Sequence, residues 1–151
     1  MRKQLSNSEI REIRRKLGLD YGLTEIIPPT AQVTLIDSLI LMIDDEPLFF
    51  SYKGRWAPTV RLLLRSNFLK EIVIDKGAIR FILEGADVMR PGIIGFHEEI
   101  KQGELVAIVD EQHHKPIAVG EALQSAMEIK LATKGPMVKT IHYVGDRLWT
   151  I

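Results

Sequence analysis

The densest group of residues able to do chemistry lies between positions 75 and 92. Asp75-Lys76-Gly77-Ala78 opens what the spacing predicts to be a helix, with Arg80 one turn after Lys76. The first N–H groups of a helix lack intrahelical partners and carry a partial positive charge, so such an entrance suits an anion such as phosphate. Small residues admit a ligand backbone closely, and Lys76 and Arg80 add charge. Gly85-Ala86 and Met89-Arg90-Pro91-Gly92 are expected beside it, with the Arg90 guanidinium able to fork onto a phosphate or a guanine edge. Arg147, near Trp149, is a further candidate phosphate contact, with coverage of a strand edge as its alternative. From spacing alone, Gly77, Gly85 and Gly92 serve tight turns more readily than a ligand.

Other reactive residues carry less. His113-His114 are adjacent, so on a strand they point to opposite faces, and spacing supplies no third metal ligand. Asp44-Asp45-Glu46 lacks a calcium-loop pattern and reads as a turn. Arg11, Arg14, Arg15 and Lys16, with Arg2 and Lys3 nearby, fit either phosphate contacts or the wet face of an amphipathic helix, the commoner outcome. Lys130, Lys134 and Lys139 read as solvated charges. Phe49, Phe50, Tyr52 and Trp56 sit among apolar residues and read as core or domain-interface packing, with base stacking as the lesser alternative. There is no G-x-S-x-G elbow, P-loop or H-E-x-x-H, so neither an enzyme nor a cofactor is expected.

The elements that position these residues follow from periodicity and caps. Ser6 and Glu9 form a capping box, Ile10, Ile13 and Leu17 follow at helical spacing, and Gly18 is placed to end this first element. Strands are expected at Val33–Ile36, Leu39–Ile43 and Leu48–Tyr52, then a short helix at Thr59–Arg65. Asp75 caps a helix over Lys76–Leu83 after the strand Ile72–Ile74. Short strands follow at Val88–Met89, Ile93–Phe96, Leu105–Val109, Ile117–Gly120 and Val138–Val144, with a second capping box at Ser125 and Glu128. Many short strands with close turn signals predict a small barrel plugged by two helices.

Composition sets the frame. The 151 residues are 46% hydrophobic and 26% charged, enough for a packed core. Without cysteine there are neither disulfides nor thiolate metal sites. No apolar run approaches the roughly 20 residues of a spanning helix, and Met1-Arg2-Lys3-Gln4-Leu5 turns polar too early for a signal peptide; a cytoplasmic protein without a membrane partner is expected. Net charge is zero. Residues 1–72 carry 11 Lys+Arg against 9 Asp+Glu, and residues 73–151 carry 9 against 11. Any nucleic-acid site must therefore be a local patch.

The stretch from Asp75 to Ile93, DKGAIRFILEGADVMRPGI, resembles the opening of a PUA domain, and IHYVGDRLW from Ile141 to Trp149 resembles its closing strand. Upstream, Leu48-Phe49-Phe50 and Pro58-Thr59-Val60-Arg61-Leu62-Leu63 resemble the N-terminal domain of the malignant-T-cell-amplified-sequence family of translation factors and its archaeal relatives. Arg90 stands where eukaryotic members tend to carry an uncharged residue, and the loop after Ile93 is shorter than theirs.

The resemblance implies an α+β chain: a small α/β accessory (pre-PUA) domain over residues 1–72, then a PUA pseudo-β-barrel over residues 73–151. It implies a non-catalytic RNA-binding protein of the initiation or recycling type, with rRNA or tRNA, the small ribosomal subunit and a translation-factor protein as partners. It also strengthens the ligand reading of Lys76, Gly77, Ala78, Arg80, Gly85, Ala86, Met89, Arg90, Pro91 and Gly92. The alternatives are an adaptor for a translation factor and an accessory subunit in RNA modification or ribosome biogenesis.

Overall fold

The computed structural model describes residues 1–151, which divide into two compact units, Met1–Thr59 and Val60–Ile151. The division differs from the expected boundary at 72. Residue 72 falls inside a strand, Glu71–Ile74, that pairs only within the second unit, and Val60 and Leu63 pack in that unit's core.

The first unit is one helix with a five-stranded antiparallel meander: β1 (Arg2–Gln4), α1 (Asn7–Tyr21), β2 (Val33–Ile36), β3 (Ile40–Ile43), β4 (Glu46–Tyr52) and β5 (Arg55–Pro58). A three-residue loop, Asp37-Ser38-Leu39, joins β2 to β3, and two-residue loops join β3 to β4 and β4 to β5. Asp37-Ser38, Asp44-Asp45 and Lys53-Gly54 all have positive φ, from 49° to 77°, the backbone hand that matches strand twist in tight hairpins. Leu17, Val33, Leu41 and Phe49 are fully buried in this unit's core.

Two expectations for this unit are corrected. The chain starts with a strand rather than a helix: β1 is exposed along its length and pairs with β2, Arg2 opposite Ile36, so no apolar alternation marks it. Helix α1 runs through Gly18 to Tyr21 and closes on Gly22, whose φ of 69° puts it in the left-handed C-terminal position. The Gly22 N–H donates to the Gly18 carbonyl at 2.9 Å, so Gly18 supplies an acceptor inside the helix and Gly22 makes the turn.

The second unit holds α2 (Val60–Arg65), β6 (Glu71–Ile74), α3 (Lys76–Ile82), β7 (Val88–Met89), a 3₁₀ turn at Arg90–Gly92, β8 (Ile93–Phe96), β9 (Leu105–Asp110), β10 (Pro116–Ala122), α4 (Ala126–Leu131) and β11 (Pro136–Tyr143). Its six strands form a nearly closed pseudo-barrel sheet in the order β7-β11-β10-β9-β6-β8, with β6 and β9 parallel and the other pairs antiparallel. Every residue of β9 is buried, as expected for a strand covered on both faces. Ile72, Ile74, Ile82, Val106, Ile108, Ile129 and Val138 are part of the barrel core, to which α3 contributes Ile82 and α4 contributes Ala126 and Ile129. No helix is long and apolar enough to cross a membrane.

Candidate nucleic-acid interface

Helix α3 is short, and its entrance is built as the sequence suggests. Asp75 caps it, accepting from the Ala78 N–H through Oδ1 at 3.1 Å, while its own N–H donates to the Gly92 carbonyl at 3.0 Å. That second bond ties the start of α3 to the end of the 3₁₀ turn. A Cβ on Gly92 would stand 3.1 Å from the Ala78 Cβ, so small residues at both positions let the two segments approach.

The segments bound an open groove of about 500 Å³, lined by Asp75, Gly77, Ala78, Phe81 and Ile82 from the α3 side and by Ala86, Asp87, Val88, Met89, Pro91 and Gly92 opposite. Phe81 and Met89 are 49% and 48% exposed, so each offers roughly half of a large apolar side chain to solvent. The Arg80 guanidinium lies 4.7 Å from the Phe81 ring centroid, a cation–π contact at the groove's rim. Asp75 and Asp87 are the charged residues of the lining; Lys76 and Arg80 are exposed but do not line it.

Of the residues singled out from the sequence, Gly77, Ala78, Ala86, Met89, Pro91 and Gly92 thus come together on one groove. The others do not. Gly85 is held by structure: its φ is 92°, and an added Cβ would come within 3.3 Å of the Tyr143 ring. Arg147 is exposed on the turn after β11 and is not part of the groove.

Two expectations about anion binding are corrected here. Arg90 does not present its fork outward. Its Nε donates to the Ile129 carbonyl at 2.6 Å and its Nη1 to the Ile93 carbonyl at 3.2 Å, with Phe96 below the guanidinium. It therefore satisfies a carbonyl near the C-terminus of α4 and braces the 3₁₀ turn. The α3 amides are not an open phosphate cradle either, because the Lys76 N–H donates to Glu111 Oε1 at 3.1 Å and Asp75 takes the Ala78 N–H. Sequence reasoning missed Phe81, Asp87 and Glu111. Phe81 follows Arg80 outside the Ile79-Ile82-Leu83 stripe, which is a legible sign of exposure; Glu111 reaches the site from 35 positions away and left no local sign.

Elsewhere the polar groups serve structure. Arg14 donates to the Ile27 and Pro28 carbonyls and Arg15 pairs with Glu12, so half of the basic set on α1 is engaged within its own unit. No group of three or more metal-ligating side chains is gathered anywhere. His142 is buried, with Nδ1 2.8 Å from Asp146 Oδ2, and burial holds its pKa below the ordinary 6.5 despite that carboxylate.

Comparison with known proteins agrees with this architecture. The family described as Pre-PUA-like domain matches residues 1–66, and the PUA domain matches residues 70–144. An uncharacterized protein of Methanocaldococcus jannaschii is 42% identical over 150 residues, covering 96% of this chain and 93% of that one. Translation machinery-associated protein 20 of Saccharomyces cerevisiae is 30% identical over 98% of this chain and 91% of its own length. Human Malignant T-cell-amplified sequence 2 is 34% identical over 97% and 88%. Among solved structures, a hypothetical protein of Pyrococcus horikoshii superposes with a TM-score of 0.83 at 32% identity, covering 99% of this chain and 98% of that one. An H/ACA RNP bound to a substrate RNA contains a chain that matches with a TM-score of 0.52 at 29% identity, over 64% of this chain and 29% of its own.

Proposed function

Because the chain belongs to the family of pre-PUA and PUA proteins that includes the malignant T-cell-amplified sequences and translation machinery-associated protein 20, we propose that it is a non-catalytic RNA-binding protein of the translation machinery. Its RNA, in this reading, is rRNA or tRNA, and the small ribosomal subunit is where it acts. The observation that carries the proposal is the groove between α3 and β7, where half-exposed Phe81 and Met89 face solvent beside Arg80.

The physical logic is that of single-stranded recognition. An RNA duplex closes its major groove to side chains, so sequence-specific proteins read unpaired bases by stacking them on aromatic or guanidinium planes and bonding their edges. Here an unpaired base enters the groove against Phe81 and Met89, Arg80 adds a cation at the rim, and Lys76 is available to the adjoining phosphate. The site thus takes base inside and phosphate outside, in contrast to a phosphate seated on the helix entrance.

The test is binding of unpaired oligoribonucleotides and of rRNA and tRNA to folded variants of the full chain. Stacking on an aromatic side chain is worth about 1–3 kcal/mol per base. Phe81→Ala should therefore weaken binding about tenfold, with smaller losses for Lys76→Ala and Arg80→Ala. Unchanged affinity in all three would remove the groove from the RNA site.

A further inference from the structure

The groove carries an unusual combination for a site offered to a polyanion: its lining includes two carboxylates, Asp75 and Asp87, and no cation. Both are fixed. Asp75 Oδ1 accepts from the Ala78 N–H at 3.1 Å, and Asp87 Oδ1 accepts from the Thr140 N–H at 3.3 Å. Carboxylates anchored in this way cannot swing out of the groove without giving up those backbone bonds, and each has a second oxygen with acceptor capacity. A carboxylate only accepts, so what it selects is a donor. Phosphate offers none and is repelled.

Resting on the reading of the groove as an RNA site, we infer that it selects unpaired bases carrying an exocyclic amino group (adenine, cytosine or guanine) and discriminates against uracil. The amino groups of adenine and cytosine are donors, and guanine adds the donor of its N2 amino group. Uracil has no amino group. Its only ring donor, N3–H, is flanked by two carbonyl oxygens, which a carboxylate repels. The rest of the lining, from Gly77 to Gly92, is glycine, alanine, proline and larger apolar side chains, so the carboxylates supply the side-chain polarity of the pocket. β7 adds to this, since it ends the sheet order and pairs only with β11, while Val88 and Met89 both line the groove.

The experiment measures the affinity of the full chain for oligo(A), oligo(C) and oligo(U) of equal length at one fixed salt concentration. It is repeated on Asp75→Asn, Asp87→Asn and the double variant. Asparagine keeps an acceptor oxygen for the Ala78 and Thr140 amides and is as good a helix cap as aspartate, so the fold is retained and thermal melting confirms it. An amide also donates, which suits the uracil carbonyls. The wild-type chain is expected to prefer oligo(A) and oligo(C) to oligo(U) by about tenfold, a discrimination within the range of one good base-edge pair. The double variant should narrow that gap mainly by binding oligo(U) more tightly. Equal wild-type affinity for all three oligomers, or a preference unmoved in the folded double variant, overturns the inference. If Phe81→Ala leaves binding of every oligomer intact, it is the groove's assignment to RNA that fails, an outcome separable from loss of base preference alone.

Discussion

At the scale of single residues, the decisive distinction is between side chains that face solvent and those already committed to the backbone. Arg90 illustrates it. A guanidinium next to Pro91 and Gly92 reads from sequence as a free anion receptor, but its two bonds to the Ile129 and Ile93 carbonyls make it a brace between α4 and β8. Hydrogen bonds to charged groups contribute about 1.5–3 kcal/mol each. Arg90→Ala is expected to destabilise the fold by about 2 kcal/mol or more, read from urea unfolding, while its folded fraction binds RNA almost as the wild type does. Gly120 is a second committed residue: a Cβ there would lie 2.4 Å from Val138 Cγ1 and 2.9 Å from the Lys139 carbonyl oxygen. Gly120→Ala should cost about 1–3 kcal/mol by overpacking, measured in the same way.

His142 sets a pH dependence at this scale. Burial is the largest influence and lowers its pKa, the Asp146 carboxylate opposes that, and the Arg61 cation reinforces it. The folded protein thus holds the imidazole neutral under conditions where the unfolded chain protonates it. The unfolded state then binds more protons, so this contribution is complete above pH 6.5 and is lost as pH falls from there toward the lowered folded value. The expected result is a melting temperature that declines from pH 7 to pH 5, with a shallower decline in His142→Gln. An equal slope in the two proteins would show that His142 does not govern it.

At the scale of elements, the caps were the most legible features. Ser6 with Glu9 and Ser125 with Glu128 both form complete capping boxes, because an S-x-x-E pattern satisfies two backbone N–H groups wherever the chain can enter a helix. Ser125→Ala should cost about 1 kcal/mol in thermal or urea unfolding. Strand β1 was not legible, since Arg2, Lys3 and Gln4 are exposed and only their pairing with β2 makes them a strand. The hairpins were legible in part, since Asp44-Asp45 reads as a turn and is one between β3 and β4, whereas Asp37-Ser38 carries no such sign. Asp37, Ser38, Asp44, Asp45 and Lys53 all take positive φ without being glycine, a conformation that the tight connections impose. The groove itself lies at this scale, because it exists only where the Asp75–Gly92 bond draws α3 against the 3₁₀ turn.

At the scale of the whole molecule, a net charge of zero rules out affinity by bulk electrostatics. The candidate site brings two exposed cations, Lys76 and Arg80, and two carboxylates. Single strands lose affinity with salt at a log–log slope of about −0.7 per phosphate contact. The RNA affinity of this chain should therefore fall with a slope of about −1 to −2, and Lys76→Ala should make it shallower. A steep slope, beyond about −5, would point to a larger basic surface than α3 provides.

By itself the sequence determined the capped helices, most of the strands and the small barrel, because caps, periodicity and turn residues act over a few positions and need no distant partner; the α+β class and the family followed from the likeness of whole stretches such as Asp75 to Ile93. It also identified most of the groove's small residues. What the tertiary structure decided was which polar atoms remain available. Glu111 on the Lys76 amide and the Ile129 carbonyl on Arg90 arrive from 35 and 39 positions away. A helix entrance that reads as an anion site in one dimension is thereby occupied in three at the Lys76 and Ala78 amides, and Phe81, Met89 and two carboxylates line the open groove beside it.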